Sequence, residues 1–338
     1  MSRPRSSGQA LKTEPHARAR RLRIADRELT LGERPLLMGV VNASPDSFSD
    51  AGAATGLARQ LGLAADLVGA GADILDVGGE SARTDTPMID PGEEIERVVP
   101  PIERITRELD VLVSVDTYKP AVAKAAIGAG AKIVNDVSGL RDPRLASVCA
   151  DTGAALVLMH TAAVPKQRLQ DPDLYGDVAA EVLAFLEDRI RSALGAGVAF
   201  EQLIVDPGPD FAKTPSQTIA VLSGLERFHE LGRPILMAIS RKDFIGALTG
   251  RPPRERLAGT LAALGYGVER GAHIFRVHDV AAAADFLAVR GALSGELTPD
   301  RDLALADDLR YEPSPARCEP PPGRPADRRP GSSGEGDR

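Results

Sequence analysis

Leu36-Leu-Met-Gly-Val-Val-Asn-Ala-Ser-Pro-Asp-Ser-Phe-Ser-Asp50 begins as an apolar run of strand length, stops at an asparagine, and continues as small polar residues, two of them aspartate. An unbroken apolar run marks a strand covered on both faces, as in the parallel sheets of α/β proteins. Such folds carry their chemistry in the loops at the carboxyl ends of the strands. Alone, the stretch is an ordinary strand-to-helix turn. Its repetition along the chain decides the fold.

Further apolar runs of strand length fall at 74–77, 111–115, 133–135, 155–158, 203–205, 235–239 and 274–277, after the first at 36–41. Between and after them lie helix-period segments at about 55–70, 92–108, 119–129, 142–152, 174–196, 215–231, 254–270 and 279–292. Eight β-then-α units in roughly 260 residues match the count and length of a (β/α)₈ TIM barrel. A doubly wound open sheet fits less well, because the first strand lacks the G-x-G-x-x-G turn. Before the barrel, Leu22 to Leu31 sets apolar residues on both sides of Asp26-Arg27-Glu28, a short hairpin capping one end of the core. Residues 1–20 are polar and basic and read as a disordered leader. Residues 21–294 form a single barrel domain, and 295–338, rich in Pro and Gly, read as a disordered tail.

The chain has 338 residues, 43% of them hydrophobic, enough for one barrel core, and a net charge of -7, which argues against nonspecific binding to nucleic acid or an anionic membrane. An anionic substrate must then be held by locally placed Arg and Lys. Cys149 and Cys318, far apart in the sequence, one in an apparent helix and one in the Pro-rich tail, suggest neither a disulfide framework nor a metal site and fit a reducing cytoplasm. No apolar run reaches the length of a membrane span, and the basic N-terminus lacks a secretory signal's apolar core.

The strand ends form a consistent set: Asn42; Asp76 with Glu80-Ser81-Ala82-Arg83; Asp116-Thr-Tyr-Lys119; Asn135-Asp136; Met159-His160; Asp206-Pro-Gly208 followed by Phe211 and Lys213; Ser240-Arg241-Lys242; and Arg276-Val-His278-Asp279. Singly, each has a plain structural role. Asp279 reads as a helix N-cap, Asp76 as an internal partner of a backbone group or of Arg83, and His160 equally as a satisfied rim histidine. Together they put polar or charged groups on every strand at one mouth. Asp116, Asn135 and Asp206 supply acceptors and one amide suited to a flat heterocycle with several N–H donors on one edge, such as a pterin. Arg276 and His278 suit a phosphate or diphosphate, and the Asn42 carbonyl oxygen suits Mg²⁺.

These stretches closely resemble the dihydropteroate synthase family over about residues 36–288, in five ordered blocks: 42–50, 76–83, 114–119 with 135–139, 206–208 with Phe211 and Lys213, and 240–242 with 276–280. The resemblance implies condensation of 6-hydroxymethyl-7,8-dihydropterin diphosphate with p-aminobenzoate, giving dihydropteroate and diphosphate in folate biosynthesis, with Mg²⁺. It implies a pterin pocket of Asp116, Asn135, Met159, Asp206 and Lys242, and a diphosphate site of Arg276, His278 and Asn42, the last also the metal ligand. The p-aminobenzoate side would comprise Phe211, Lys213, Ser240, Arg241, Ser81 and Ala82. Asp50, Asp116, Lys242 and Arg83 would act in catalysis, Asp50 and Arg83 by closing loops over the site. A dissociative mechanism, a cytoplasmic homodimer and sulfonamide binding are further implications.

The chain departs from the family pattern in two loops. Ser81-Ala82-Arg83-Thr84-Asp85 stands where the family has Ser-Thr-Arg-Pro-Gly, and Pro209-Asp210-Phe211-Ala212-Lys213 where it has Ile-Gly-Phe-Gly-Lys. Both fall on the second-substrate side. Two other functions are therefore weighed: a pterin-binding paralogue with lost or altered p-aminobenzoate transfer, and a methyltetrahydrofolate-dependent methyltransferase barrel. The latter has no use for diphosphate ligands such as Arg276 and His278.

Overall fold

A computed structural model describes residues 20–310, apart from Asp26, Glu33, residues 44–51, Ala82, Arg83 and Asp85. The greater part of the leader and tail expected from the sequence, residues 1–19 and 311–338, lies outside the described residues.

Eight parallel strands form the barrel: β3 (Leu36–Asn42), β4 (Ile74–Gly78), β5 (Leu112–Asp116), β6 (Ile133–Asp136), β7 (Ala155–Met159), β8 (Leu203–Asp206), β9 (Leu236–Met237) and β10 (Ile274–Val277). They pair in the order β8-β7-β6-β5-β4-β3-β10-β9. A parallel bridge from Val205 to Ile235 joins the two ends and closes the sheet. Successive side chains on a strand point to opposite faces, and two apolar clusters record that alternation. Leu37, Leu75, Val77, Val113, Val115, Val134, Leu158 and Val205 pack outward with the helices. Met38, Ile74, Ile133, Val157, Ile204, Leu236 and Ile274 pack inside the barrel.

Inward positions nearer the carboxyl ends continue the same period: Asp76 above Ile74, Asp116 and Ser114 above Leu112, Asn135 above Ile133, Asp206 above Ile204, Arg276 above Ile274. The barrel interior is thus apolar at its amino-terminal end and polar at its carboxyl-terminal end. In β4, β5, β6, β8 and β10 the switch takes place between successive inward positions.

The apolar end is plugged by the N-terminal hairpin, β1 (Arg20–Ile24) paired antiparallel with β2 (Arg27–Leu31). Leu22, Ile24 and Leu31 are buried and join the interior cluster. Each such burial contributes about 1.5–3 kcal/mol, so the hairpin is an integral part of the core. Arg233, itself buried, donates to Leu203 O and Arg21 O and pins the hairpin to the barrel.

The helices are α1 (Gly52–Gly69), α2 (Pro91–Glu108), α3 (Pro120–Gly128), α4 (Arg144–Thr152), α5 (Val178–Gly195), α6 (Pro215–Ser223), α7 (Asp243–Thr249), α8 (Leu257–Glu269) and α9 (Val280–Ser294). Capping explains several starts: Asp90 accepts from Gly92 N before Pro91-initiated α2, and Thr214 forms a capping box with Gln217 at α6. Three boundaries differ from the sequence expectation. The segment expected at 215–231 breaks at Gly224 into α6 and a 3₁₀ stretch, Leu225–Leu231. The strand expected at 235–239 is reduced to β9, two residues long. Helix α7 was not anticipated, because seven residues ending at left-handed Gly250 carry too little periodicity to register.

Chain contacts divide after Arg290, within α9. Residues up to Arg290 hold the barrel. Those from Gly291 onward hold the end of α9 and, among the described residues, a 3₁₀ turn at Asp307–Leu309.

Candidate active site at the barrel mouth

The polar layer centres on Asp76, which is fully buried. Its Oδ2 accepts from Asn135 Nδ2 at 3.0 Å and from Arg276 Nε at 2.6 Å. Arg276 Nη2 then donates to Asp116 Oδ2 at 2.8 Å. This contact fixes Asn135: with its amide N–H on Asp76, its carbonyl oxygen is left to accept from a ligand. Asp206, also buried, takes Gly208 N on Oδ1 at 2.7 Å. Gly208 has φ +65 and a Cβ there would lie 2.0 Å from His160 O, so only glycine permits this turn. Asp116, Asn135 and Asp206 therefore gather as acceptors in the barrel, as the sequence pattern suggested, and Asp76 organises two of the surrounding contacts.

Burial sets the electrostatics. It lifts Asp116 to about 7, opposed by Arg276 and assisted by Asp76. It lifts Asp206 to about 6, held back by the Gly208 N–H and by Lys242 and Lys213. Lys242 is lowered by the same desolvation, partly offset by Asp210 and Asp206. A neutral or donor-bearing ligand edge would relieve these carboxylates, which is the chemistry expected of a pterin-type ring.

On the side expected to take the phosphate, His278 is exposed just past the end of β10, its backbone N–H donating to Ser240 Oγ at 3.2 Å and its Nδ1 3.0 Å from the same oxygen. The surrounding protein, Arg276 and Arg241 push the imidazole down to about 4, so it is neutral near pH 7 and offers Nε2 to an anion. Arg276 does not stand beside His278 as an anion ligand; its guanidinium is turned inward to Asp76 and Asp116. Asp279, expected as an N-cap, precedes α9 and its carbonyl accepts from Ala283 N at 3.1 Å, while both its carboxylate oxygens accept from Arg241, at 3.1 and 2.7 Å. Asn42 is exposed at the end of β3, paired in register with Gly78. Among the described residues no group of three or more His, Cys, Asp or Glu side chains forms a metal cage. An exposed amide oxygen at the end of a barrel strand fits Mg²⁺, which commonly takes few protein ligands and completes its shell from substrate phosphates and water.

On the remaining side a cleft of about 570 Å³ is lined by Ser81, Thr84, Asp116, Phe211, Arg241 and Lys242, among others. Lys242 Nζ sits 4.4 Å from the Phe211 ring centroid, a cation–π contact. Lys213 and Ser240, expected on the p-aminobenzoate side, stand behind the cleft. Lys213 is fully buried, with Nζ against His160 Nδ1 at 2.8 Å, Gly208 O at 2.9 Å and Phe211 O at 3.1 Å. It latches the loop that presents Phe211. Burial lowers Lys213 to about 7 and, with the Lys213 charge, His160 to about 2. His160 packs edge-on to Phe185, its centroid 4.8 Å away, and is a satisfied structural histidine. Met159 is buried opposite Asp206 in the β7–β8 register.

Asp210, at the second departure, also has a structural role: Oδ1 accepts from Thr218 Oγ1 and Oδ2 from the Asp243 N–H that opens α7. Of six non-glycine residues with positive φ among those described, Lys166, Asp210, Ala212 and Arg241 line this cleft. Such strain concentrates where surrounding structure over-determines a functional loop. Asp50, Ala82 and Arg83 lie outside the described residues.

The sequence reading assigned no role to an ionic hub beneath the second loop. Lys119 Nζ meets Glu80 Oε2 and Glu94 Oε2, each at 2.6 Å, and Ile89 O at 2.8 Å; Tyr118 OH donates to Glu80 Oε1 at 2.9 Å. These donors outweigh the desolvation of Glu80 and hold its pKa below the ordinary value. Glu80 and Lys119 were visible at strand ends, but nothing in their spacing announces that they meet.

Residues 38–278 match the family model described as pterin binding enzyme. A dihydropteroate synthase of Bacillus subtilis (strain 168) is 44% identical over 253 residues, covering 75% of this chain and 86% of that protein. The structure of Xanthomonas albilineans dihydropteroate synthase with 4-aminobenzoic acid superposes with a TM-score of 0.75 at 44% identity, covering 82% of this chain and 99% of the other. The same enzyme in complex with 7,8-dihydropteroate gives a TM-score of 0.72 at 43% identity, covering 81% and 98%.

Proposed function

This chain belongs to the dihydropteroate synthase family, transferases of folate biosynthesis, and we propose how its barrel mouth joins 6-hydroxymethyl-7,8-dihydropterin diphosphate to p-aminobenzoate. The observation that carries the proposal is the acceptor set of Asp116, which lines a cleft with Arg241 and Lys242, and the buried Asn135 carbonyl and Asp206. A ring lacking N–H donors on that edge would leave carboxylates unpaired, which costs far more than a lost van der Waals contact. Met159 packs on the ring and Lys242 supports it from the cleft side.

The reaction is dissociative. The bond between the exocyclic methylene and the diphosphate oxygen breaks, its electron pair leaving with diphosphate, and the methylene cation is shared with the dihydropterin ring. Asp206, ionised beside Lys242, and Asp116, freed as Arg276 turns to the diphosphate, stabilise that positive charge. The p-aminobenzoate nitrogen attacks the methylene, forms the C–N bond and gives up a proton to solvent or diphosphate. His278 and Arg276 bind the diphosphate, Arg276 by rotating from Asp116 toward the rim. Asn42 would hold Mg²⁺, which when bound would supply Lewis-acid stabilisation of the leaving group. Phe211 and Arg241 present the aryl amine on the side away from the diphosphate, where exclusion of water protects the cation.

Two coarser features are part of the same proposal. A cytoplasmic homodimer is supported by the free, buried thiol of Cys149 and by exposed Leu257 and Val289 on α8 and α9. Among the described residues no helix is long and apolar enough to cross a membrane. Light scattering tests the dimer.

The reaction is tested by incubating purified protein with both substrates and Mg²⁺ while following diphosphate and dihydropteroate together. One-to-one appearance, lost in Asp206→Ala and Lys242→Ala, is the expected result. Dihydropterin binding without p-aminobenzoate-dependent product would instead indicate a paralogue with altered transfer.

A further inference from the structure

We propose that Arg256 is a positioning residue for the second substrate, bracing Arg241 and Lys242 from behind the cleft. Arg256 immediately precedes α8, its side chain is only 11% exposed, and it does not itself line the cleft. Its Nη1 donates to Arg241 O at 2.9 Å, to Lys242 O at 3.2 Å and to Asp243 Oδ1 at 3.0 Å, while its Nε donates to Arg251 O at 2.8 Å. Thr260, buried one helical turn further along, takes the Arg241 N–H on its Oγ1 at 3.1 Å. The first turn of α8 thus holds the main chain of two residues whose side chains face the substrate.

Three observations separate this contact from an ordinary surface ion pair. Two of the acceptors are main-chain carbonyls of residues that line the cleft. Arg241 is held at φ +59, an uncommon conformation for a residue with a side chain, which persists where surrounding contacts impose it. Gly246 of α7 lies so close over the guanidinium that a Cβ there would stand 2.2 Å from Nη2 and 2.4 Å from Cζ. Glycine inside a helix is costly, so α7 gives up helix propensity to admit this arginine. The two braced residues depend on it unequally. Lys242 has a second anchor in the Phe211 ring, 4.4 Å from its Nζ. Arg241 reaches Asp279 from its left-handed backbone, so relaxation there would redirect the side chain.

The assignment rests on p-aminobenzoate entering this cleft, and its test separates the two ideas. Arg256→Met keeps most of the stem and removes the guanidinium; Arg256→Lys keeps a charged donor without the fork. Arg256→Met is expected to raise the KM for p-aminobenzoate about tenfold while the KM for dihydropterin diphosphate stays within about threefold, with Arg256→Lys recovering part of the loss. Gly246→Ala leaves Arg256 in the chain but pushes its guanidinium off the carbonyls, and is expected to raise the same KM. Alanine favours a helix over glycine, so that rise is not a helix defect. Amide hydrogen exchange, which needs no turnover, is expected to quicken across 240–246 in Arg256→Met and stay unchanged across 112–119. Unchanged exchange at 240–246 overturns the brace. Faster exchange with both KM values rising together, or neither, overturns its substrate role. Should Arg256→Met fail to fold, Arg256→Lys and Gly246→Ala decide, and wild-type exchange and KM values in both overturn the proposal. A wild-type protein that makes no dihydropteroate refutes the assigned reaction, while the exchange data still decide the brace.

Discussion

Arg276 Nε lies 2.6 Å from the fully buried Asp76 Oδ2, and this ion pair in the upper layer of the barrel orders the groups around it. Asp76 also takes the Asn135 amide and, through Arg276, reaches Asp116. Asp76 touches neither the cleft nor the rim. It turns the Asn135 carbonyl toward a ligand and holds Arg276 between two carboxylates.

Asp76→Asn keeps the shape and removes the charge. It is expected to raise the KM for dihydropterin diphosphate by about tenfold, with the KM for p-aminobenzoate unchanged, since one buried charge-assisted contact is lost on the pterin side only. A thermal melt controls for the cost of breaking a buried pair. Equal changes in both KM values would contradict a positioning role.

The same variant has a pH signature. Asp116 is raised to about 7 and Asp206 to about 6, and both must be ionised to accept ring donors. As pH falls through 7 and then 6 the carboxylates protonate, so kcat/KM for the pterin substrate is expected to fall in that window. Asp76 is one of the charges that raises Asp116, so Asp76→Asn should move the acid limb to lower pH. A limb that stays in place would show that Asp116 does not govern it.

Asp210 looks, in sequence, like a misplaced negative charge facing an anionic substrate. Its carboxylate instead ties Thr218 to the first N–H of α7. Asp210→Ala is therefore expected to destabilise by about 1–2 kcal/mol, as a lost cap does, without lowering the KM for p-aminobenzoate. Thermal melts and steady-state kinetics measure the two effects. A clear fall in that KM with stability intact would restore the repulsion argument.

The hairpin plug gives a stability prediction. Leu22 is fully buried among the inward residues of the barrel. Leu22→Ala is expected to cost about 2–5 kcal/mol by creating a cavity, seen as a lower denaturation midpoint with kinetics of the remaining folded enzyme unchanged. A neutral effect would mean the hairpin is an ornament on the barrel.

The barrel was legible because every strand is an apolar run that ends in a polar residue, and the period of two places Asp116, Asn135, Asp206 and Arg276 inward without further information. What those residues touch was less legible. Arg276 read as an anion ligand at the rim, yet the carboxylates of Asp76 and Asp116 draw it inward, because β10 lies two strands from β4 and three from β5 and all three side chains point into the barrel. Lys213 and His160 are 53 positions apart and meet only because β7 and β8 are neighbours.

The most direct test of the two-sided site is the KM of each substrate in Asp206→Asn and Phe211→Ala, measured side by side with melts. Asp206→Asn is expected to raise the dihydropterin diphosphate KM about tenfold or more and leave p-aminobenzoate unchanged, while Phe211→Ala does the reverse. A folded Asp206→Asn enzyme with an unaltered KM for dihydropterin diphosphate would contradict the assignment of the buried acceptors to the pterin ring.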